Sequence, residues 1–324
     1  MRFIVEWGIP PRLETAIEQV RATVEIGATH AKWQHVVPRE LASTEAERYW
    51  SPSLGGSPSQ LETFKRAGGL EPSEWAELFV HCRGEGIMPV ATPFALESVE
   101  VLYRAGVAAY KIASGDVTFR ALWQAVGQSD VPVFFSAGAA SGVEIERAAG
   151  WIPGAVPMAC DLIYPTGLAQ TGFVRQIPRL KQHARGGDVG YSDHTREIET
   201  GACAVMAGAT VLEKHVTLNP TGRAPDDKMA LTVNAAKHYW KLAQSAAKML
   251  EHPTGDPQAP ARYGARRSAY ARRELTPGTV LNDRNIAWLR PAAPGSIGPA
   301  DGIEGRKMTR RVRAGTAISL ADLI

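Results

Sequence analysis

VGYSDHT, residues 189–195, is a short apolar run that stops on a Ser-Asp-His cluster, and VLEKHVT, residues 211–217, repeats the arrangement. A strand that ends on ionisable residues delivers their side chains to one edge of a sheet. The interval between the two runs holds one helix, so they read as consecutive βα units of a parallel sheet.

Working outward, eight β-rich runs alternate with helical patterns up to about residue 250: RFIVEW (2–7), THAKWQ (29–34), GIMPVAT (86–92), AAYKIAS (108–114), VPVFFSA (131–137), AVPMAC (155–160), DVGYSD (188–193) and TVLEKHV (210–216). Their apolar residues run on rather than alternate, as in a parallel sheet covered on both faces. Helical periodicity lies between them, at Leu13, Ile17, Val20 and Val24, at Leu96, Val99, Leu102 and Tyr103, after Ser141, Thr171 and Arg196, and finally at Tyr239, Leu242, Ala246 and Met249. Eight such units in roughly 250 residues is the count of a (β/α)8 barrel. A doubly wound sheet would bring a GxGxxG loop after its first strand, and the sequence has none.

Residues 36–70, with SPSLGGSPSQ, are poor in apolar positions and read as a long loop over the barrel mouth. The barrel is expected over 1–250, a Pro- and Gly-rich linker over 251–264 (EHPTGDPQAPARYG), and a small, mainly β module over 265–324.

Composition limits the function classes. The chain has 324 residues, 44% hydrophobic and 21% charged, with a net charge of +3 spread along its length. No basic stripe argues for nucleic acid and no run is long enough to span a membrane. The opening MRFIVEWGIPP does not read as a secretory leader. Three separated cysteines, Cys82, Cys160 and Cys203, read as reduced thiols, so a cytoplasmic protein is expected.

In a (β/α)8 barrel the chemistry sits at the C-terminal strand ends. Those ends carry Glu6; Lys32 and Gln34; Thr92; Lys111, Ser114 and Asp116; Ser136; Tyr164; Ser192, Asp193 and His194; and Glu213 with His215. Each has a plain reading as well. A lone histidine is commonly a hydrogen-bonded structural residue, Glu6 a salt-bridge partner, and a serine or threonine a helix cap. Two imidazoles on neighbouring strand ends suit Mn, Fe, Co or Zn. Two lysines in a barrel mouth are costly unless an anion meets them. Together these groups point to a phosphorylated anion and a metal-polarised carbonyl.

YKIASGD (110–116), IYPTG (163–167), VGYSDHT, VLEKHVT and APDDKMAL (224–231) resemble the sialic acid synthase family, the phosphoenolpyruvate-dependent N-acetylneuraminate synthases. ARYGARRSAYARRELTPGTVLNDRNIAWLRP (261–291) is similar to that family's antifreeze-like SAF domain. The resemblance covers nearly the whole chain in order. It implies a divalent metal, Mn2+ foremost with Mg2+ or Co2+ as alternates, on His194 and His215. Phosphoenolpyruvate would be gripped by Lys32, Thr92, Lys111, Ser114, Ser136 and Ser192, with Glu6 and Asp116 as the catalytic acids. Gln34, Tyr164, Asp226 and Arg290 would meet an aldehyde acceptor, Arg290 reaching across a domain-swapped homodimer. The implied reaction condenses phosphoenolpyruvate with an aldose or related aldehyde to a 2-keto-3-deoxy acid, with phosphate lost by C–O cleavage.

The sequence departs from the family pattern at several points. Pro10 and Pro11 replace the Asn-His expected after the first strand, Asp116 replaces a glutamate, and Ala137 a threonine. Leu162 stands where a polar phosphate contact is expected, and Ala230 where a serine is. Two other readings compete. Metal-assisted hydrolysis would want an HxH on the first strand, which ends EWGIPP instead. A non-catalytic or repurposed barrel that binds a sugar acid or a partner would predict erosion of the histidines or Glu6.

Overall fold

The computed structural model of the protein describes residues 1–184, 187–222, 224, 226–251 and 254–324. All eight expected strands form: β1 (Arg2–Glu6), β2 (His30–His35), β3 (Met88–Pro93), β4 (Ala109–Ile112), β5 (Val133–Ser136), β6 (Val156–Cys160), β7 (Gly190–Asp193) and β8 (Val211–Thr217). Each pairs in parallel with the next, and β8 pairs back onto β1 with Glu6 opposite His215, which closes the barrel. A two-residue strand, β9 (Leu231–Thr232), extends the β8 edge.

The helices follow in order: α1 (Leu13–Ile26), α2 (Pro38–Leu41), α3 (Gln60–Ala67), α4 (Pro72–Gly84), α5 (Leu96–Ala105), α6 (Arg120–Val126), α7 (Gly142–Trp151), α8 (Phe173–Leu180), α9 (Thr200–Met206) and α10 (Val233–Leu250). Local chemistry sets several starts. Ser141 and Glu144 form a reciprocal capping box at α7, and Thr232 caps α10. The helix expected after Arg196 begins only at Thr200, because residues 195–200 first turn around the Asp193 carboxylate. α10 buries Tyr239, Trp240, Ala243 and Ala246, while the expected Leu242 and Met249 face outward. Tyr239 and Ala246 of the expected stripe are buried, and Trp240, packed with Tyr239 on Phe3 of β1, takes the place expected of Leu242 and Met249.

Strand parity decides where chemistry can occur. Successive side chains point to opposite faces. One inward layer is Ile4, Val90, Ala109, Phe134, Val156, Met158 and Val211, an apolar plug. Two residues further along the strands the same parity gives Glu6, Thr92, Lys111, Ser136 and Glu213, all buried and all polar. The outward positions, including Phe3, Val5, Trp33, Tyr110, Phe135 and Leu212, join the helices in the main core. Gly190 belongs to the plug layer, where a Cβ would meet the Met158 side chain at 2.7 Å and the Val211 carbonyl at 3.1 Å.

The stretch 36–70, expected as a plain loop, contains α2, a 3-10 turn at Pro52–Leu54, and α3. Buried Trp50, Leu54 and Met229 form a small apolar cluster there, flanked by Phe64 and Tyr164. That cluster and the Ser51 N–H donating to the Tyr164 carbonyl (3.0 Å) fix the insertion to the barrel mouth.

The chain divides into two compact units, 1–251 and 252–324. Residues 252 and 253 of the expected linker lie outside the described residues, and its later part is helical, as α11 (Ala259–Ala265). The second unit pairs β10 (Ser268–Ala271) antiparallel with β11 (Ile286–Leu289). Its own core includes Ala269, Leu275, Leu281, Ile286, Ile297, Met308 and Ile318. Among the described residues no helix is long and apolar enough to cross a membrane.

The α9–α10 packing yields a stability test. A Cβ on Gly201 would sit 2.5 Å from the buried Tyr239 ring. Gly201→Ala is therefore expected to lower stability by about 1–3 kcal/mol in a urea titration, although alanine is the better helix former.

Candidate active site

A cavity of about 680 Å3 opens at the C-terminal strand ends, within the size range of small-molecule sites. Its walls include most of the barrel residues singled out from the sequence: Gln34, both lysines, Thr92, the serines at 114, 136 and 192, Asp116, Tyr164, Glu213, both histidines and Asp226, but not Asp193, which points outward. Glu6 itself is fully buried directly beneath, held by its contacts to Gln34 and Lys32.

The floor is a network of buried charges. Lys32 is paired with Glu6 and lies 3.9 Å from Glu213, while Lys111 lies 3.8 Å from the other oxygen of Glu213. Gln34 and the Gly8 N–H both donate to Glu6, at 2.7 and 3.0 Å. Lys32 donates to the Thr92 hydroxyl (3.2 Å), Lys111 to Ser136 (2.6 Å), and Ser192 to Glu213 (2.8 Å). Burial alone would lower the Lys32 pKa, but Glu213 and Glu6 hold it above the ordinary lysine value. For Lys111 burial wins, and its pKa falls despite the attraction of Glu213. Burial would raise Glu213, but Lys111 and Lys32 overcome it and keep this carboxyl well below the usual range. Glu213 was legible as a strand-end acid, yet its bridging role was missed. The signal was its parity, two residues before His215.

Ser114 is placed by the chain after β4 and accepts from the Ala139 N–H at 2.8 Å. That approach needs Gly138, where a Cβ would come within 2.6 Å of the Cys160 carbonyl. Asp116 faces the cavity with no side-chain hydrogen bond or ion pair among the described residues, and burial pushes its carboxyl up to about 6.

The two imidazoles stand together at the rim of the floor, ring centres 5.6 Å apart. His194 uses Nδ1 toward the Asp161 carbonyl (2.9 Å), which makes Nδ1 the protonated nitrogen and leaves the Nε2 lone pair free. Burial, aided by His215, lowers its pKa to about 3, so the ring is neutral. Tyr164 stacks on it with centres 4.2 Å apart, and Tyr49 of the insertion packs edge-on against Tyr164. Asp226 lies 3.9 Å from His215, and desolvation raises its carboxyl against the pull of that imidazole. Cys160 lies 3.8 Å from His194, but burial pushes its thiol up to about 12 and keeps it protonated. Among the described residues no group of three or more His, Cys, Asp or Glu forms a metal cluster. The donor set is thus two imidazoles, which fits an open ion with positions left for water or substrate and not a closed structural site.

Of the departures, Leu162 lines the cavity, and Pro11 lines it beside Trp7, Gly8 and Ile9. Ala137 is buried, and Ala230 donates its N–H to the Asp226 carbonyl. Arg290 is exposed just after β11 in the second unit.

A closed parallel barrel with paired lysines, carboxylates and imidazoles at its mouth, followed by a small β unit, defines the architecture of the sialic acid synthases. Residues 19–254 match the NeuB family model and residues 266–324 the SAF domain, and the chain belongs to the NeuB family. It is 27% identical over 296 residues to the N,N'-diacetyllegionaminic acid synthase of Campylobacter jejuni, covering 86% of each chain. It is 26% identical over 324 residues to a pseudaminic acid synthase of the same species, covering 96% of this chain and 92% of that one. A crystal structure of spore coat polysaccharide biosynthesis protein E from Chromobacterium violaceum shares the fold, with a TM-score of 0.77, 24% identity and 99% coverage of both chains.

The charge network makes a direct prediction. Removing one member of a buried ion pair leaves its partner uncompensated, at a cost of about 3–5 kcal/mol. Glu213→Gln should lose stability of this order in denaturant titrations at neutral pH, whereas Glu62→Gln, in an exposed surface pair, should lose almost none.

Proposed function

We propose that the protein condenses phosphoenolpyruvate with the aldehyde of an open-chain aldose or related compound, giving a sialic-acid-like 2-keto-3-deoxy acid and phosphate. One observation carries the reading. Lys32 and Lys111, both nearly inaccessible to solvent, meet on a single carboxylate at the floor of a cavity rimmed by two imidazoles. Relatives named as synthases of related sugar acids support it.

In this reading Lys32, Lys111 and the hydroxyls of Thr92, Ser114, Ser136 and Ser192 bind and orient the phosphate and carboxylate of phosphoenolpyruvate. Gln34, Tyr164 and Asp226 hold the acceptor. C3 of phosphoenolpyruvate attacks the aldehyde carbon, and the former carbonyl oxygen takes up a proton. Water then adds at C2, and the tetrahedral intermediate expels phosphate by breaking its C–O bond. Of the two protons of that water, one balances the new hydroxyl and the other leaves on phosphate. Glu6, paired with Lys32, favours cationic character at C2. Asp116, which has no cation partner among the described residues, takes the proton from the attacking water.

Lys32, Lys111, Glu6 and Glu213 balance one another in charge, so a triply anionic substrate calls for additional positive charge. A divalent ion on His194 and His215, Mn2+ first and Mg2+ or Co2+ as alternates, would supply that charge and Lewis acidity toward the acceptor carbonyl. We place the protein in the cytoplasm as a domain-swapped homodimer, with Arg290 of one subunit serving the acceptor end of the other.

Leu162 is the observation that favours the alternative, a repurposed barrel that binds a sugar acid. A lost hydrogen bond to phosphate costs about 1–3 kcal/mol. The direct test is phosphate release from phosphoenolpyruvate with Mn2+ across a panel of aldehydes that includes N-acetylmannosamine. Release with one aldehyde, abolished in His215→Ala, is the expected result. A silent panel, with phosphoenolpyruvate failing to bind, would give the alternative the lead.

The Asp116 role fixes a pH dependence. The ionised carboxylate accepts the proton, so kcat/KM should rise with pH through about 6, the value to which burial brings this group. Asp116→Asn should erase that limb and lower kcat by about 10²–10⁴-fold. An unchanged profile in the variant would remove Asp116 from the chemistry.

A further inference from the structure

Asp193 and Lys214 occupy outward positions on β7 and β8, directly opposite each other in the strand register. At that face the other barrel strands present Val5, Trp33, Ala91, Ile112, Phe135 and Ala159 to the helices. Here alone among these positions the barrel buries an ion pair, with Asp193 and Lys214 each 1% exposed. A buried pair of this kind is rarely more stabilising than a packed apolar pair. Its presence therefore asks for a geometric reason.

The hydrogen bonds supply one. Lys214 Nζ lies 3.0 Å from Asp193, donates to the Thr195 carbonyl at 2.6 Å, and donates to the Thr195 hydroxyl at 3.1 Å. The Asp193 carboxylate accepts from the Thr195 N–H (2.8 Å), the Thr195 hydroxyl (2.8 Å), Tyr191 (3.1 Å) and Thr200 (2.5 Å). The residues before and after His194 are thus gathered around one carboxylate and tied to β8 by the residue before His215. On the cavity side, the Asp161 carbonyl and the Tyr164 ring fix the rotation of the His194 ring. On that side the Ser192–Glu213 hydrogen bond (2.8 Å) ties the two strands two residues before the imidazoles, and the outward pair adds a tie at the residues next to them.

We propose that the Asp193–Lys214 pair is a positioning device, acting from behind the barrel wall, that sets His194 and His215 at the separation needed to share one divalent ion. This rests on the metal reading above, and the experiment separates the two. Metal-stripped protein is titrated with Mn2+ by calorimetry as wild type, His215→Ala, Lys214→Met and Leu122→Ala. Leu122 is buried in α6 on the far side of the barrel, so its variant controls for lost stability alone. The expected result is that Lys214→Met weakens Mn2+ binding by about 10–100-fold, the usual effect of removing an outer partner of a ligand, while Leu122→Ala keeps wild-type affinity. Wild-type affinity in a folded Lys214→Met variant would overturn the positioning role and leave the metal reading standing. A wild type that binds no Mn2+, or binds it as well after His215→Ala, would overturn both. Should Lys214→Met fail to fold, Thr195→Val removes one acceptor of Lys214 and one donor to Asp193 while keeping the ion pair. A loss of at least about threefold in its Mn2+ affinity supports the proposal, and a smaller one refutes it.

Discussion

The structure turns on the buried alternation of Glu6, Lys32, Glu213 and Lys111. Two ammonium groups cannot be kept dry at the centre of a barrel without anions beside them. The two carboxylates meet that requirement, and both come from strands adjoining the seam where β8 closes onto β1. Barrel closure and charge balance are therefore one constraint. An opened seam would strand Lys32 from Glu213, and a lost carboxylate would leave a lysine uncompensated at the closure. The apolar plug of Ile4, Val90, Phe134 and Met158 seals the other end of the barrel, so the charged layer communicates only with the cavity.

Above this floor the imidazoles are set by different means. His194 is turned by a backbone carbonyl and a tyrosine ring, and Tyr164 in turn is backed by Tyr49 from the insertion. The segment that reads as a mere cover is thus mechanically part of the site. Of the departures from the family pattern, Leu162, Pro11 and Asp116 line the cavity, while Glu6, both lysines and both histidines are present.

Much of this was legible in the sequence because parallel strands bury both faces, which makes RFIVEW or VPVFFSA stand out as apolar runs. Parity then carries a strand-end motif such as EKH to the correct face without further information. Contacts between groups distant in sequence were not legible. Nothing local in ASGD says that the Ser114 hydroxyl would receive the Ala139 N–H, or that Glu6 would be engaged by Lys32 and Gln34 together. The helical structure in 36–70 was hidden because its apolar residues are few and serve a small separate cluster with Met229. The outward placement of Leu242 and Met249 shows the same limit from the other side: periodicity finds a stripe, but the neighbouring aromatic Phe3 decides its exact bearing.

The central claim is that phosphoenolpyruvate is bound on the lysine floor and loses phosphate by C–O cleavage after carbon–carbon bond formation. The most direct measurement uses phosphoenolpyruvate labelled with 18O in the oxygen bridging C2 and phosphorus, turned over with Mn2+ and an aldehyde, with both products weighed by mass spectrometry. The account requires the label in the released phosphate and an unlabelled keto oxygen in a product three carbons longer than the acceptor. Label retained in a three-carbon product, with the aldehyde unchanged, would mean cleavage at phosphorus without condensation and would contradict it.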